Sequence, residues 1–160
     1  FAKRESTKPR SRLRAPLMNS YRCADGRAFW LLGLEADRHW PALVAAINRP
    51  DLAADERYVD ARVRLVNSET LIATLDEIFA TQPMAEWTRK FDEHDVWWAP
   101  INSIPDVVVD AQAIASGAFI DMNPREGEAP YRAVNSPVDF DGYTFRPGQV
   151  PRVGEHEPRW

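Results

Sequence analysis

The chain has 160 residues, room for one ordinary domain or for one small domain plus part of another. Its 20 Lys+Arg against 24 Asp+Glu leave a formal net charge of -4, which argues against a dedicated nucleic-acid binder, whose footprint is a clear basic excess. Hydrophobic residues make up 44%, with six Trp and seven Phe, which excludes a disordered composition and predicts a packed core.

A single cysteine, Cys23, allows no intrachain disulfide, and no secretory signal is visible. The expected setting is therefore reducing and cytoplasmic. No apolar run approaches the ~20 residues that span a bilayer, so no membrane partner is expected.

Residues 1–14 hold six Lys/Arg, one Glu and three apolar residues, and read as a solvated, extended basic linker. Two short aromatic-rich runs follow, Ser20–Cys23 and Ala28–Leu32, separated by Ala24-Asp25-Gly26. Asp-Gly predicts a β-hairpin with a primed turn. Trp40, Leu43, Val44 and Ile47 recur at one face of a helix predicted over Asp37–Asn48, with Pro41 placed in its first turn and Pro50 beyond its end.

Leu52 to Tyr58 reads as a loop or helical turn, and Val59–Val66 as a short helix. Asn67 or Ser68 then caps a clearer helix reaching Ala80, whose Leu71, Ile72, Leu75, Ile78 and Phe79 share a face. Pro83 opens another, with Met84, Trp87 and Phe91 in register. Val96–Ile101 predicts a buried strand that Pro100 puts at an edge or ends. Ser103-Ile104-Pro105-Asp106 has the form of a helix start, and a short helix should end before Gly117. Beyond Phe119, prolines limit Phe119–Met122, Tyr131–Val134 and Val138–Phe140 to short extended segments.

Residues able to carry chemistry are few. The histidines His39, His94 and His156 stand in no metal-ligand spacing, and no metal is expected. Glu35 and His39, four apart, would share a helix face as a polar pair. Asp92-Glu93-His94-Asp95 clusters at a helix end and reads as solvated. Cys23, beside Arg22 on a strand, reads as a small buried residue rather than a nucleophile. The tryptophans fit core and interface. No phosphate-binding glycine loop, GxSxG or CxxC is present.

Several stretches together resemble family III CoA-transferases, the carnitine dehydratase and bile-acid-inducible family. Tyr21-Arg22-Cys23-Ala24-Asp25-Gly26-Arg27 resembles the hairpin that begins that family's small domain. Trp40 followed by Ile47-Asn48-Arg49-Pro50-Asp51-Leu52 resembles its "W…L…IGRPDL" segment, with Asn48 where Gly is usual. Arg62 and Asn67 fit "R…N…L", Trp87 and Val96–Asn102 resemble "EW…GVPxxPVN", and Asp110-Ala111-Gln112 resembles "DPQ" with Ala111 in place of Pro. Pro137, Phe140 and Val153-Gly154-Glu155-His156 resemble the "P…F…LGEH" finish. The order and spacing over Pro16–His156 make the match specific, and it covers the C-terminal half of a family member.

The resemblance implies an α/β fold class. Residues 1–19 would form the basic linker and a substrate-side loop. Residues 20–95 would form a small α+β domain of hairpin and amphipathic helices, and residues 96–160 a return segment of a Rossmann-like large domain. It implies CoA transfer between an acyl-CoA and a carboxylic acid through an aspartyl-CoA intermediate whose Asp lies outside this chain, so the chain alone would be inactive. Coenzyme A would be a substrate, and the full-length chain an interlocked homodimer. Pro16, Leu17, Met18 and Asn19 match the loop over the acyl group, which is glycine-rich in formyl-CoA-type members. Without glycine it would be stiffer and more apolar, suiting an acyl group bulkier than formate or oxalate. The family also includes α-methylacyl-CoA racemases, in which Glu35 would match a Glu near the proton-transfer residues. A third possibility is a non-catalytic subunit or interaction module.

Overall fold

The computed structural model describes residues 15–138, 141–143 and 147–155. The basic segment 1–14, the end of the third C-terminal segment at Asp139-Phe140, and His156 lie outside them. The described residues divide into two compact units, with the break between Ile101 and Asn102.

In the first unit, β1 (Ser20–Arg22) and β2 (Ala28–Leu31) pair antiparallel with Tyr21 opposite Phe29. The hairpin is as the sequence predicts, but its turn is not the two-residue primed form. Cys23 N–H donates to Arg27 O at 2.8 Å and Gly26 N–H to Cys23 O at 3.0 Å, so Ala24, Asp25 and Gly26 form a three-residue loop. Gly26 takes the left-handed place at φ +79°, the geometry in which a residue other than glycine is strained.

β3 (Trp98–Ile101) pairs antiparallel with β2, giving the order β1-β2-β3. The strand predicted over Val96–Ile101 is therefore an edge strand, as Pro100 requires. It is not buried: Trp98 and Ala99 are half-buried, and Pro100 and Ile101 exposed. Its pairing with the hairpin puts β3 in the first unit, which runs through Ile101.

The helix α1 (Ala36–Ala46) buries Trp40, Leu43 and Val44, the predicted face. It starts at the Glu35 N-cap, so Pro41 sits inside the helix rather than in its first turn. The buried Arg64 braces this end. Its guanidinium donates to Ala36 O at 3.1 Å and Tyr58 O at 2.7 Å, pairs with Asp37, and lies 5.0 Å from the centre of the Trp40 ring. At the other end Asn48 takes φ +52°, and its N–H and that of Arg49 close on Ala45 O and Val44 O. Asn tolerates this left-handed position, the conformation in which glycine usually ends a helix.

Then come α2 (Pro50–Ala54), α3 (Ala61–Val66), α4 (Ser68–Phe79) and α5 (Met84–Glu93). Asp60 caps α3 by accepting from Val63 N–H at 2.8 Å. Asn67 occupies the N-cap place of α4, but its amide instead donates to Val63 O at 3.0 Å and Arg57 O at 3.2 Å. Asp25 of the hairpin loop accepts from Met84 N–H at 3.1 Å, so a turn residue satisfies the first turn of α5.

The core is where hairpin, α4 and α5 meet. Phe79 lies edge-on to Phe29 at 4.9 Å and to Trp87 at 5.2 Å between ring centres, and Phe29 lies 5.0 Å from Phe91. Trp87 Nε1–H donates to Phe79 O at 3.0 Å, which satisfies the one polar atom that burying this indole would otherwise orphan.

In the second unit, Ser103 and Asp106 form a reciprocal capping box on α6 (Ile104–Val107). Asp110 caps α7 (Ala111–Ala115) by accepting from Ala113 N–H at 2.8 Å. β4 (Phe119–Asp121) and β5 (Arg132–Val134) pair antiparallel. None of the described residues of this unit is buried. The fold is thus mixed α/β, with small antiparallel sheets and several helices, and its described core lies in the first unit.

Candidate functional site

The stretch before the hairpin is a tightly held part of the first unit. Tyr21 OH donates to Pro16 O at 2.6 Å and Met18 N–H to Ala15 O at 3.1 Å. Leu31 N–H donates to Asn19 O, and Gly33 N–H to Leu17 O, both at 2.9 Å. Pro16, Leu17 and Asn19 are buried and Met18 half-buried. Gly33 is needed for close approach: a Cβ there would stand 2.8 Å from Leu17 Cβ, inside any real contact distance. Pro16–Asn19 therefore runs against the segment leaving β2, and that segment leads directly to Glu35.

Beside this junction is a shallow, open depression lined by Leu17, Gly33, Leu43 and Val96, with His39 and Trp97. α1 delivers His39 and Leu43 from the same face, and Leu32 N–H holds Trp97 O at 2.9 Å. The His39 ring packs on Trp97 with centres 4.7 Å apart and planes inclined by 39°. Both imidazole nitrogens are buried and have no hydrogen-bond partner among the described residues. The lining is otherwise apolar, and no Lys or Arg belongs to it.

Glu35 stands at the N-cap of α1 but caps nothing with its side chain. Its carboxylate is 64% exposed and pairs with Arg38 Nη1 at 3.0 Å. The expected Glu35–His39 side-chain pair is thus resolved into two separate contacts, Glu35 with Arg38 and His39 with Trp97. Glu35 nevertheless follows Gly33 by two residues, and Gly33 N–H is held by Leu17 O. Sequence reading overlooked Gly33; it gave the tryptophans to core and interface, and Trp97 is 51% exposed. The signal for Gly33 was its place between β2 and the helix, where a lone glycine marks close backbone approach.

The remaining candidates are engaged elsewhere. Cys23 is buried with its Sγ 4.0 Å from Met84 Sδ. Burial first, and the Asp25 carboxylate second, push its thiol up to about 11, the opposite of an activated nucleophile. Asp92 accepts from Trp98 Nε1–H at 3.1 Å and Glu93 pairs with Arg89 at 3.1 Å. Among the described residues no group of three His, Cys, Asp or Glu stands close enough to hold a metal ion. No helix is long and apolar enough to cross a membrane among the described residues.

Residues 2–157 match the model of CoA-transferase family III. The chain is 27% identical over 143 residues to (R)-2-hydroxy-4-methylpentanoate CoA-transferase of Clostridioides difficile, covering 89% of this chain and 36% of that protein. It is 29% identical over 144 residues to 2-methylfumaryl-CoA isomerase of Chloroflexus aurantiacus, covering 82% of this chain and 34% of that one. A CAIB/BAIF family protein from Brucella suis has a similar fold, with a TM-score of 0.75 at 23% identity over 96% of this chain and 39% of that chain. The chain spans about a third of the length of the curated relatives it matches.

Proposed function

The chain belongs to CoA-transferase family III, and on that premise we propose that it is the C-terminal portion of an enzyme that moves CoA between an acyl-CoA and a carboxylic acid. The nucleophile is an aspartate of the full-length protein outside these residues. Its carboxylate attacks the acyl-CoA thioester, forming a mixed anhydride and releasing CoA thiolate. The thiolate attacks the aspartyl carbonyl, freeing the first acid and leaving an aspartyl-CoA thioester. The acceptor carboxylate then attacks that thioester, and the released thiolate takes the new acyl group, which regenerates the aspartate. Coenzyme A is a substrate throughout, and the protein is cytoplasmic.

In this reading the first unit is the small domain and presents Pro16–Asn19 to the acyl group. The second unit is the return segment to a Rossmann-like large domain. Its exposed apolar side chains, Ile104 at 81%, Val109 at 73% and Val134 at 80%, support a segment whose burial comes from the rest of a homodimeric enzyme.

The observation that carries the proposal for the acyl side is the Leu17–Gly33 junction. A loop pinned by hydrogen bonds and filled by Leu17 is stiffer than a glycine-rich one. The depression beside it encloses only about 10 Å³, room for a single water, so these residues offer the acyl group a wall and not a closed pocket. The test is CoA transfer by the full-length protein from formyl-CoA and from a branched donor such as 4-methylpentanoyl-CoA. The branched donor should be favoured at least about tenfold in kcat/KM, the scale of hydrophobic pocket discrimination. Preference for formyl-CoA would contradict the proposal.

A second reading is an acyl-CoA racemase or isomerase of the same family. It is favoured by the likeness to an isomerase and by the place of Glu35 next to the junction. The exposed pair with Arg38 favours the transferase.

A further inference from the structure

We propose that Met18 is the specificity-determining residue of the loop before the hairpin, and that the Tyr21 hydroxyl is its positioning residue; this rests on the CoA-transferase reading, which sets Pro16–Asn19 against the acyl group. Within that loop Pro16, Leu17 and Asn19 are buried in their own unit, and Met18 alone is not. An acyl group laid on the loop therefore meets Met18 first. The Met side chain is apolar, unbranched and polarizable, and adapts its shape to the apolar group it covers. A longer acyl chain gains from that contact; a formyl group, with no carbon beyond its carbonyl, does not.

Met18 can favour one acyl group over another only if its own place is fixed. Ala15–Met18 is a turn with Pro16 at its second position, closed by Met18 N–H on Ala15 O at 3.1 Å. Leu17 O accepts from Gly33 N–H and Asn19 O from Leu31 N–H, both at 2.9 Å, so main-chain donors hold the residues on either side of Met18. Gly33 also sets a steric limit, since a Cβ there would stand 2.8 Å from Leu17 Cβ. Pro16 O accepts from Tyr21 OH at 2.6 Å, and among these donors only Tyr21 acts through its side chain. Tyr21 is 1% exposed, with its ring centre 4.9 Å from that of Phe79. Phe in its place would fill the same core, so packing does not call for the hydroxyl. The hydroxyl instead ties the turn that carries Met18 to the core, and Tyr21 is too deeply buried to meet the acyl group itself.

The test uses the full-length protein with formyl-CoA and butanoyl-CoA as donors, and reads the ratio of their kcat/KM values. Met18→Ala should lower the butanoyl-over-formyl ratio at least about tenfold, the scale of missing methylenes in an apolar contact. Tyr21→Phe, which keeps the buried ring, should lower it about three- to tenfold, the worth of one net hydrogen bond. The double variant should lower it no further than Met18→Ala alone, because Tyr21 acts through Met18. Loss of folded protein scales both donors together and leaves the ratio unmoved. A lower melting temperature at constant ratio, in either variant, would overturn the proposal, as would effects that multiply in the double variant. Calorimetric titration of the full-length protein with CoA and with S-butyl-CoA, a thioether that cannot be transferred, separates this inference from the enzymatic one. A protein that transfers no CoA, yet binds the thioether more tightly than CoA and loses that preference in Met18→Ala, would sink the transferase reading and sustain the loop assignment. CoA transfer with a thioether preference unchanged in Met18→Ala would do the reverse, and neither transfer nor preference would contradict both.

Discussion

Glu35 shows how far one residue can be read alone. Its position after the hairpin matches a racemase carboxylate, but its side chain is two-thirds in solvent and held by Arg38. Exposed pairs of this kind contribute about 0.2–1 kcal/mol, so Glu35→Gln should scarcely change stability. In a transferase the substitution should also leave CoA transfer within a few-fold. In a racemase it should lower α-proton exchange by the ~10²–10⁴-fold typical of acid–base groups, so turnover of the variant separates the two activities. His39 is the opposite case. Its spacing from Glu35 was visible, but the sequence could not show that its ring turns to Trp97, because that contact joins α1 to a residue far along the chain.

At the scale of elements, periodicity was informative wherever one face is buried. The faces of α1, α4 and α5 were legible because Leu43, Val44, Leu71, Leu75, Trp87 and Phe91 repeat with the helical turn and meet the same core. Capping was less legible, because it depends on which donor a side chain reaches. Asn67 turns its amide back toward α3, and the cap of α5 comes from Asp25, far upstream. The hairpin loop thus has two roles, closing β1 on β2 and satisfying Met84 N–H. Asp25→Ala should destabilise the fold by about 0.5–2 kcal/mol, the usual value of a lost N-cap, and Asp25→Asn by less. Chemical denaturation of the full-length protein measures both; equal stability of Asp25→Ala and the parent would remove the cap from the account of α5. The edge strand β3 was read as buried because Val96-Trp97-Trp98 is apolar, but Pro100 was the more reliable sign.

At the scale of the molecule, the first unit has a core and the second, in its described residues, has none. The motif order over Pro16–His156 identified the family where composition said nothing about activity, and the family model covers the same span. The depression was not legible, since Leu17, Gly33, His39 and Trp97 come from four separate stretches that only the fold assembles. The central claim is that the full-length protein transfers CoA between acids. Its most direct test is one incubation of that protein with an acyl-CoA and a different carboxylic acid in deuterated water, read by mass spectrometry of the thioesters. CoA should appear on the second acid, with no deuterium at the α-carbon of the first. Deuterium in the original acyl-CoA with no new thioester would contradict the transferase and establish the racemase, and neither change would contradict both.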